Sequence, residues 1–356
     1  MSKKNAGFPE KRGNPPENPG KKSGGGGFYK GWRAIDGLGV DFYRPGAYDR
    51  PRSMAREMPG SHQCFYDKEC FPMSFKIITD SCCDLAELAQ ELGLSVVPLS
   101  VEMDGSVYTE GDMTPKELYD HLRAGKMPRT SAVNPEGWAN AIRPVLEAGQ
   151  DALVIAFSSG LSATYQSAVI AAEELREEFP DRKITVIDSL CAAAGQGLLV
   201  YSAAQRRAEG KSLEETAAWV EERKLNLCHW VTVEDLMHLK RGGRVSAATA
   251  VVGTMLSIKP IIRVDDNGKL ENVGKARGRK ASLNNILDRM AETFVPEMND
   301  TVFIGHGDCP ADAEFLAQQV KERFGVKNVI IRYVGAVIGS HTGPGVAVVF
   351  YYGKNR

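Results

Sequence analysis

The amino-acid sequence predicts an α/β protein with two α/β domains, the first built on a mostly parallel sheet flanked by helices and the second on a mixed sheet. Three observations predict this fold class. From Met73 onwards, short apolar runs that suit buried strands alternate with segments of helical periodicity. Asp-Ser or Ser-Ser pairs follow three of these runs, where parallel strands commonly present ligand-binding side chains. After about residue 230 a hairpin turn interrupts the alternation, as expected of a mixed sheet.

Length and composition restrict the possible classes of protein. The chain has 356 residues, which suits about two domains, and a net charge of −1. This charge gives no support for a nucleic-acid or membrane-surface partner bound through bulk electrostatics. No apolar run reaches the length of a membrane span, and the first residues lack the apolar core of a signal peptide. Seven scattered cysteines without a paired framework indicate reduced thiols and hence a cytoplasmic location.

The beginning of the chain differs from the rest. Residues 1–26 are rich in Lys, Gly, Pro and Asn, a composition that cannot bury a core. A strand-like segment then begins abruptly at Met73, which we interpret as the natural start. We therefore expect residues 1–72 to be a disordered extension or a wrongly assigned leader. Residues 73–228 are predicted to form the N-terminal α/β domain and residues 229–356 the C-terminal α/β domain.

The elements of the first predicted domain follow from length and periodicity. Its strands are predicted at 77–78, 95–101, 152–156 and 184–187, and its helices at 85–92, 115–124, 135–148, 168–175, 192–209 and 213–224. The helix at 115–124 has a clear start, because Thr114 suits the N-cap and Pro115 the first helical position. Regular alternation of this kind favours a parallel sheet, since helices make the crossover connections.

The second predicted domain contains both hairpin and crossover patterns. Its strands are predicted at 229–233, 259–264, 301–305, 329–334 and 346–352, and its helices at 234–240, 247–256 and 311–324. Asp-Asn-Gly-Lys at 266–269 is typical of a hairpin turn between two strands.

A loop rich in hydroxyl groups joins the predicted strand 152–156 to the helix that follows. Ser158, Ser159, Ser162 and Thr164 fall within seven positions of this loop. A helix N-terminus offers free backbone N–H groups and the positive end of the helix dipole, so the loop suits a carboxylate or a phosphate. Helix capping is the simpler role of such residues, although one cap does not need four hydroxyl groups.

Polar pairs also follow two other predicted strands, as Asp80-Ser81 and Asp188-Ser189. Strand ends of a parallel sheet lie at one edge, so these pairs and Ser158-Ser159 could line one crevice. For Asp188-Ser189, helix capping explains the pattern equally well.

His341 is the one histidine framed by glycines and a proline, in the segment 338–345. Such a frame lets a ligand approach the backbone closely, and an imidazole can donate to a carboxylate or transfer protons. A structural or surface role is the alternative. No second histidine stands at metal-ligand spacing from it, so the sequence does not indicate a zinc site.

Two basic segments, 240–244 and 275–280, contain Arg241, Arg244 and Arg277. Neither matches a nucleotide-binding P-loop. They are either a solvated surface or a docking face for an acidic or phosphate-bearing partner.

The ordered set of motifs resembles the DegV family from Met73 to the last residue. The residues that carry the resemblance are Asp80-Ser81, Asp84-Leu85, Val97-Pro98-Leu99, Thr130-Ser131, the segment 158–168, Asp188-Ser189, Gly195-Gln196-Gly197, the segment 239–244, Lys259-Pro260 and the segment 339–345. Departures are small, since Ala163 stands where the family often has glycine, and Val133 or Asn134 where it has serine.

The resemblance implies a fatty-acid-binding protein similar to the FakB-like subunits of bacterial fatty-acid kinase systems. Such a protein buries one long-chain fatty acid between its two domains and presents the carboxylate to an ATP-dependent kinase subunit, which forms an acyl phosphate used in phospholipid synthesis. It has no catalysis and no cofactor of its own. By motif, Thr130, Ser162 and His341 would bind the carboxylate, with Ser131, Ser158 and Ser159 close by. Arg241, Arg244 and Arg277 would dock the kinase, and the apolar segment 247–262 could line the acyl tunnel.

Two functions of other classes remain open at this point. A serine hydrolase acting on acyl esters could use Ser162, His341 and Asp188, although Gly160-Leu161-Ser162-Ala163-Thr164 lacks the second glycine of a nucleophile elbow. A regulatory protein without a ligand would leave the hydroxyl groups and His341 without a purpose.

Overall fold

The computed structural model describes residues 75–109, 111–234, 236–245 and 257–356. The predicted leader 1–72 and the predicted helix 247–256 lie outside these ranges. Within them, no helix combines the length and the apolar character needed to cross a membrane.

Strands and helices alternate through most of the described chain. The strands are β1 (Phe75–Asp80), β2 (Leu94–Val97), β3 (Ser100–Met103), β4 (Ser106–Tyr108), β5 (Arg129–Ser131), β6 (Asp151–Ala156), β7 (Ile184–Asp188), β8 (Leu227–Thr232), β9 (Ile258–Val264), β10 (Leu270–Arg277), β11 (Thr301–His306), β12 (Asn328–Tyr333) and β13 (Ala347–Tyr352). The helices are α1 (Pro115–Arg123), α2 (Pro135–Glu147), α3 (Thr164–Glu178), α4 (Ala193–Ala208), α5 (Leu213–Arg223), α6 (Met237–Arg241), α7 (Arg279–Thr293), α8 (Pro310–Phe324) and α9 (Ala336–Thr342).

The first sheet is parallel and has the strand order β2-β1-β6-β7. Its inner strand β6 is buried from Ala152 to Ala156, as expected of a parallel strand covered on both faces. Helices α2 and α3 pack together against this sheet, and α4 and α5 also contact it. The predicted parallel sheet flanked by helices is therefore confirmed.

The second sheet is mixed and has the strand order β10-β9-β8-β13-β11-β12. Strand β11 pairs parallel with β12, and the other neighbours pair antiparallel. The predicted hairpin joins β9 to β10, with Gly268 at a φ of 69° in its turn. Helices α7 and α8 pack against this sheet, whereas α4 contacts both β1 of the parallel sheet and β8, β11 and β13 of the mixed sheet. The mixed sheet is confirmed as well.

A third, three-stranded sheet with the order β4-β3-β5 was not predicted. The predicted strand 95–101 is wrong as a single unit, because β2 and β3 belong to different sheets and are separated by Pro98 and Leu99. Proline has no N–H group to continue a strand ladder, and the N–H of Leu99 donates to Ser81 Oγ at 3.0 Å. This small sheet matters for the site because its strand β5 carries Thr130 and Ser131.

Two helix predictions also differ from the structure. Residues 85–92 form only a short 3₁₀ turn at Ala86–Leu88, bounded by left-handed backbone at Asp84 and Gly93, so the predicted helix is wrong. Helix α7 was missed, although Leu283, Ile286, Leu287 and Met290 are all buried at helical spacing.

Candidate functional site

A cavity of about 290 Å³ is walled by β5, by the loop after β6, by the start of α4, by α9 and by one face of the mixed sheet. Most of its wall is hydrophobic. The polar residues of the wall are Thr130, Ser131, Ser162, His229, Arg244, His341 and Thr342. This volume is near the lower end of small-molecule sites, and a mostly apolar wall with a few polar groups is typical of them.

His341 reaches the cavity from the last turn of α9, not from the loop that its glycine-rich surroundings predicted. Gly339 allows this helix to pack closely on Tyr119, since a Cβ at Gly339 would lie 2.7 Å from the phenol oxygen. The hydroxyl of Tyr119 donates to the carbonyl of Val334 at 2.7 Å, just before α9 begins. A positive φ of 77° at Gly343 ends the helix. The glycines thus serve the packing and the ending of a helix.

His341 Nε2 lies 2.8 Å from Thr130 Oγ1. Burial, together with the positive charge of Arg244, lowers the pKa of His341 to about 4. The imidazole is therefore neutral near pH 7 and offers one N–H donor and one acceptor. Arg244 is half-buried and donates to the carbonyl of Gly242, which lies beside His341. We call Thr130, Arg244 and His341 the polar pole of the cavity.

The hydroxyl-rich loop contributes Ser162 to the wall, at the N-terminus of α3. Ser162 Oγ lies 2.8 Å from Thr164 Oγ1 and accepts from the N–H of Thr164 at 3.2 Å. The same serine therefore supports the start of the helix and faces the cavity. Both interpretations of this loop, capping and ligand binding, fit Ser162.

Ser158 and Ser159 do not belong to the cavity wall. Ser158 is fully buried and donates to the carbonyl of Gly268 at 2.8 Å, so it joins the loop to the β9–β10 turn. Ser159 is exposed, and its N–H donates to Asp188 Oδ1 at 3.1 Å. These two serines fix the loop rather than face the cavity.

The aspartates at the strand ends hold backbone segments in place. Asp80 accepts from the N–H groups of Cys82 (3.1 Å) and Phe157 (2.7 Å) and from Gln196 Nε2 (3.1 Å). Complete burial raises the pKa of Asp80 to about 6, although these hydrogen bonds oppose the rise. Asp188 Oδ1 accepts from the N–H groups of Ser159 and Leu190, each at 3.1 Å. Neither carboxylate lines the cavity, so both act on the loops around it.

The three arginines of the basic segments lie in different environments. Arg241 is exposed at the end of α6 and contacts Met127 Sδ at 3.5 Å. Arg277 is exposed at the end of β10. Arg244 belongs to the cavity wall, so its position differs from that of a purely external docking residue.

Comparison with known proteins identifies the family. The family described as uncharacterised proteins of the DegV family matches residues 74–354. A DegV domain-containing protein of Clostridium perfringens is 45% identical over 286 residues, covering 79% of this chain and 98% of that protein. The chain belongs to the DegV family. The resemblance predicted from the motifs is confirmed.

Solved DegV structures have the same fold. A DegV-family protein of Thermus thermophilus, described by its fatty-acid binding, has a TM-score of 0.71 and 34% identity, over 79% of this chain and 99% of that one. A stearic-acid-binding protein of Eubacterium ventriosum has a TM-score of 0.72 and 28% identity, over 79% of this chain and 98% of that one. This DegV chain therefore has the α/β fold of proteins that bind fatty acids.

Sequence reasoning on this DegV chain missed part of the cavity wall. His229, Phe350 and Thr342 line the cavity and were not singled out. The available signal was alternation, because residues 229 and 231 of β8 and residues 346, 348 and 350 at β13 all line it. Of the apolar segment 247–262, residues 257–262 are described, and Ile262 lies in the wall.

Proposed function

We propose that this DegV-family chain binds one long-chain fatty acid in the cavity, with its carboxylate at the polar pole, and presents it to an ATP-dependent kinase subunit that forms an acyl phosphate. The observation that carries the proposal is a hydrophobic cavity with Thr130, Arg244 and His341 grouped together in its wall. The fatty-acid binding of the Thermus and Eubacterium relatives supports the choice of ligand.

The energetics of such a ligand suit this wall. An acyl chain of roughly sixteen carbons gains about 0.8 kcal/mol for each buried CH₂ group, which is ample driving force. Its carboxylate must be hydrogen-bonded when it leaves water. The hydroxyls of Thr130 and Ser162 and the N–H of neutral His341 are the donors we assign to it, with Ser131 beside them. The Thr130–His341 hydrogen bond uses one of the two hydrogens of this pair, so it must be exchanged for a bond to the carboxylate when the ligand binds. The half-buried Arg244 adds a positive charge near the same group.

Ser158 and Ser159 have an indirect part in this proposal. Their hydrogen bonds to Gly268 and Asp188 hold the loop that carries Ser162. They would position the carboxylate donor without touching the ligand.

Phosphate transfer is assigned to the partner. The basic segments lack the Gly-Lys-Ser/Thr sequence of a P-loop, and in the described ranges no three His, Cys, Asp or Glu side chains are grouped as metal ligands. We propose that the exposed Arg241 and Arg277 dock the kinase and that this occurs in the cytoplasm, where ATP is available. We also propose two domains, 73–228 and 229–356, with the fatty acid between them.

A serine hydrolase would need a different geometry. Its nucleophile must hydrogen-bond the imidazole, and a carboxylate must orient that imidazole. Here Ser162 contacts Thr164, His341 contacts Thr130, and the charge that lowers the pKa of His341 is the cation of Arg244. Asp188 instead holds the backbone of Ser159 and Leu190.

Two measurements test the proposal. Native mass spectrometry of freshly purified protein should detect a bound mass equal to that of a fatty acid. Incubation with oleate, ATP and magnesium should yield acyl phosphate only when a fatty-acid kinase subunit is added. Acyl phosphate formed without the kinase would make this protein an enzyme. Absence of any bound or bindable fatty acid, together with esterase activity lost in Ser162→Ala, would favour the hydrolase.

A further inference from the structure

The cavity extends along strand β13. It starts at the end of the strand that follows α9 and reaches Phe350. Val346, Val348 and Phe350 all line it, which is the alternation expected of one face of a strand. Val346 comes shortly after α9, which carries His341, and Phe350 lies four residues further on. At about 3.3 Å per residue, Phe350 is roughly 13 Å farther along the strand than Val346.

The neighbouring strand ends the cavity at the same level. In the antiparallel pairing of β8 with β13, Val231 is opposite Val348 and His229 is opposite Phe350. The rings of His229 and Phe350 meet edge to face, with centroids 5.3 Å apart and an interplanar angle of 88°. These two rings therefore form a continuous surface across both strands, at the last residue of β13 that lines the cavity.

The hydrogen bonds of His229 leave its ring without a free polar group. The N–H of Ala192 donates to Nε2 at 3.3 Å, so Nε2 is the acceptor nitrogen. Nδ1 then carries the hydrogen and donates to the carbonyl of Leu227 at 3.1 Å. Burial, with the charge of Arg356, lowers the pKa of His229 well below its usual value, so the ring is neutral. It presents an uncharged edge to the cavity, which suits contact with an alkyl chain.

The layer behind this ring leaves no space for it to retreat. A Cβ added at Gly195 would lie 2.2 Å from His229 Nε2 and 2.8 Å from Phe350, so only glycine fits there. The buried Arg356 donates to the carbonyl of Leu227 at 3.1 Å and to that of Leu190 at 2.8 Å. A longer ligand could enter this region only by breaking these contacts.

We propose that His229 and Phe350 form the end wall of the acyl site and set the longest chain that this protein accepts. The inference rests on the proposed fatty-acid function and adds its chain-length limit. The polar pole fixes the carboxylate and the two rings fix the methyl end, so the length between them selects the ligand.

The test is a displacement assay on the full-length protein freed of lipid. A fluorescent fatty acid is displaced by a series of saturated fatty acids from lauric to behenic acid, for the parent and for Phe350→Leu. We expect the affinity of the parent protein to rise with the chain length of the fatty acid up to a limit, and to fall for longer acids. Phe350→Leu should move that limit to longer chains, with about tenfold tighter binding of the first acid beyond the parent limit, as for two newly buried CH₂ groups.

A second variant, which should shift the chain-length limit in the opposite direction, tests the proposal even if Phe350→Leu does not fold. Ala192 lines the cavity, and its extended backbone (φ −144°, ψ 160°) suits a β-branched residue. Ala192→Val should therefore move the limit to shorter chains. The matched control is Phe75→Leu, the same change at a fully buried residue of β1 outside the cavity wall.

The outcomes separate this inference from the function on which it rests. A parent that binds fatty acids, with the same limit in every folded variant, would overturn the end wall and leave the proposed function standing. An equal change in Phe75→Leu would also overturn it. A parent that binds no fatty acid of any length would remove the proposed function itself.

Discussion

Thr130 Oγ1 and His341 Nε2 lie 2.8 Å apart although 211 residues separate them in the chain. Thr130 is brought there by β5, where it pairs with Val101 of β3, and His341 by α9, which packs against both strands. The small sheet thus links an early segment of the chain to a late one. In the proposed function, this pair forms the centre of the carboxylate site.

Removing the hydroxyl of Thr130 should weaken fatty-acid binding. Thr130→Val keeps the shape of the side chain but loses one hydrogen bond to a charged oxygen, worth roughly 1.5–3 kcal/mol, or about 10- to 100-fold in affinity. Titration with oleate measures the change. Thr216→Val is the control, because Thr216 is a buried threonine of α5 outside the cavity wall. Equal affinity of Thr130→Val and the parent would contradict the role of Thr130.

The lowered pKa of His341 predicts a pH-dependent stability of the lipid-free protein. The pKa is about 4 in the folded protein and 6.5 in the unfolded chain. The unfolded chain therefore binds more protons between these values, and the stability present above pH 6.5 is lost as the pH falls towards 4. At pH 5 this loss is about 2 kcal/mol. Urea unfolding at pH 7 and pH 5 should reveal a smaller loss in His341→Asn than in the parent.

Other buried groups do not disturb this comparison. The pKa of Asp80 is raised to about 6, so its contribution changes with pH in the opposite direction over a similar range. The contribution of Asp80 to the pH dependence of stability is the same in the parent and in the variant. The contributions of His229 and His306 are also the same in both proteins. Identical pH dependence in both proteins would mean that His341 is not buried in its neutral form.

The strands that could be predicted are those with a strong local signal. Strand β6 and the β9–β10 hairpin have strong local signals, a buried apolar run and an Asn-Gly turn. Strands β4 and β5 have three residues each and exist because β3 pairs with both of them. Pairing of this kind depends on distant residues, which no local pattern reveals.

The site was predictable where a motif has an unusual composition. Ser162 and His341 stand in such motifs, and both line the cavity. His229 and Phe350 alternate along strands like any core residue, so only the folded sheet distinguishes them. Arg244 belongs to a basic run typical of a surface, yet the turn after α6 directs it to the cavity wall. Asp80 was predicted to face a crevice, but three donors surround its carboxylate.

Charge reversal at Arg277 should weaken the proposed kinase coupling without loss of lipid. Arg277 is exposed at the end of β10, outside the cavity wall, so Arg277→Glu changes only the external charge. We expect acyl-phosphate formation with the kinase subunit to slow by roughly tenfold at low salt, because a charge at an interface mainly affects the association rate. Bound fatty acid, measured by native mass spectrometry, should stay at the parental level.

The control for this charge reversal is Lys327→Glu. Lys327 is exposed just before β12, at the opposite edge of the mixed sheet from β10. The same slowing in both variants would indicate a non-specific effect of net charge, and loss of lipid from Arg277→Glu would contradict the division of roles.

Adding one methyl group at Gly242 should displace His341. Gly242 has a φ of −69°, which alanine adopts without strain, so the substitution acts only through contact. A Cβ at this position would lie 2.2 Å from His341 Nδ1, well inside the van der Waals distance. We therefore expect Gly242→Ala to displace the imidazole from its present hydrogen-bonding position beside Thr130 and to weaken oleate binding by about 10- to 100-fold, as for loss of the hydrogen bond itself. Overpacking should also lower the free energy of unfolding by about 1–3 kcal/mol.

Gly274→Ala is the control, because the nearest atom to its added Cβ would be 3.7 Å away, on Ile261. Parental affinity for oleate in Gly242→Ala would mean that the position of His341 does not matter for the carboxylate.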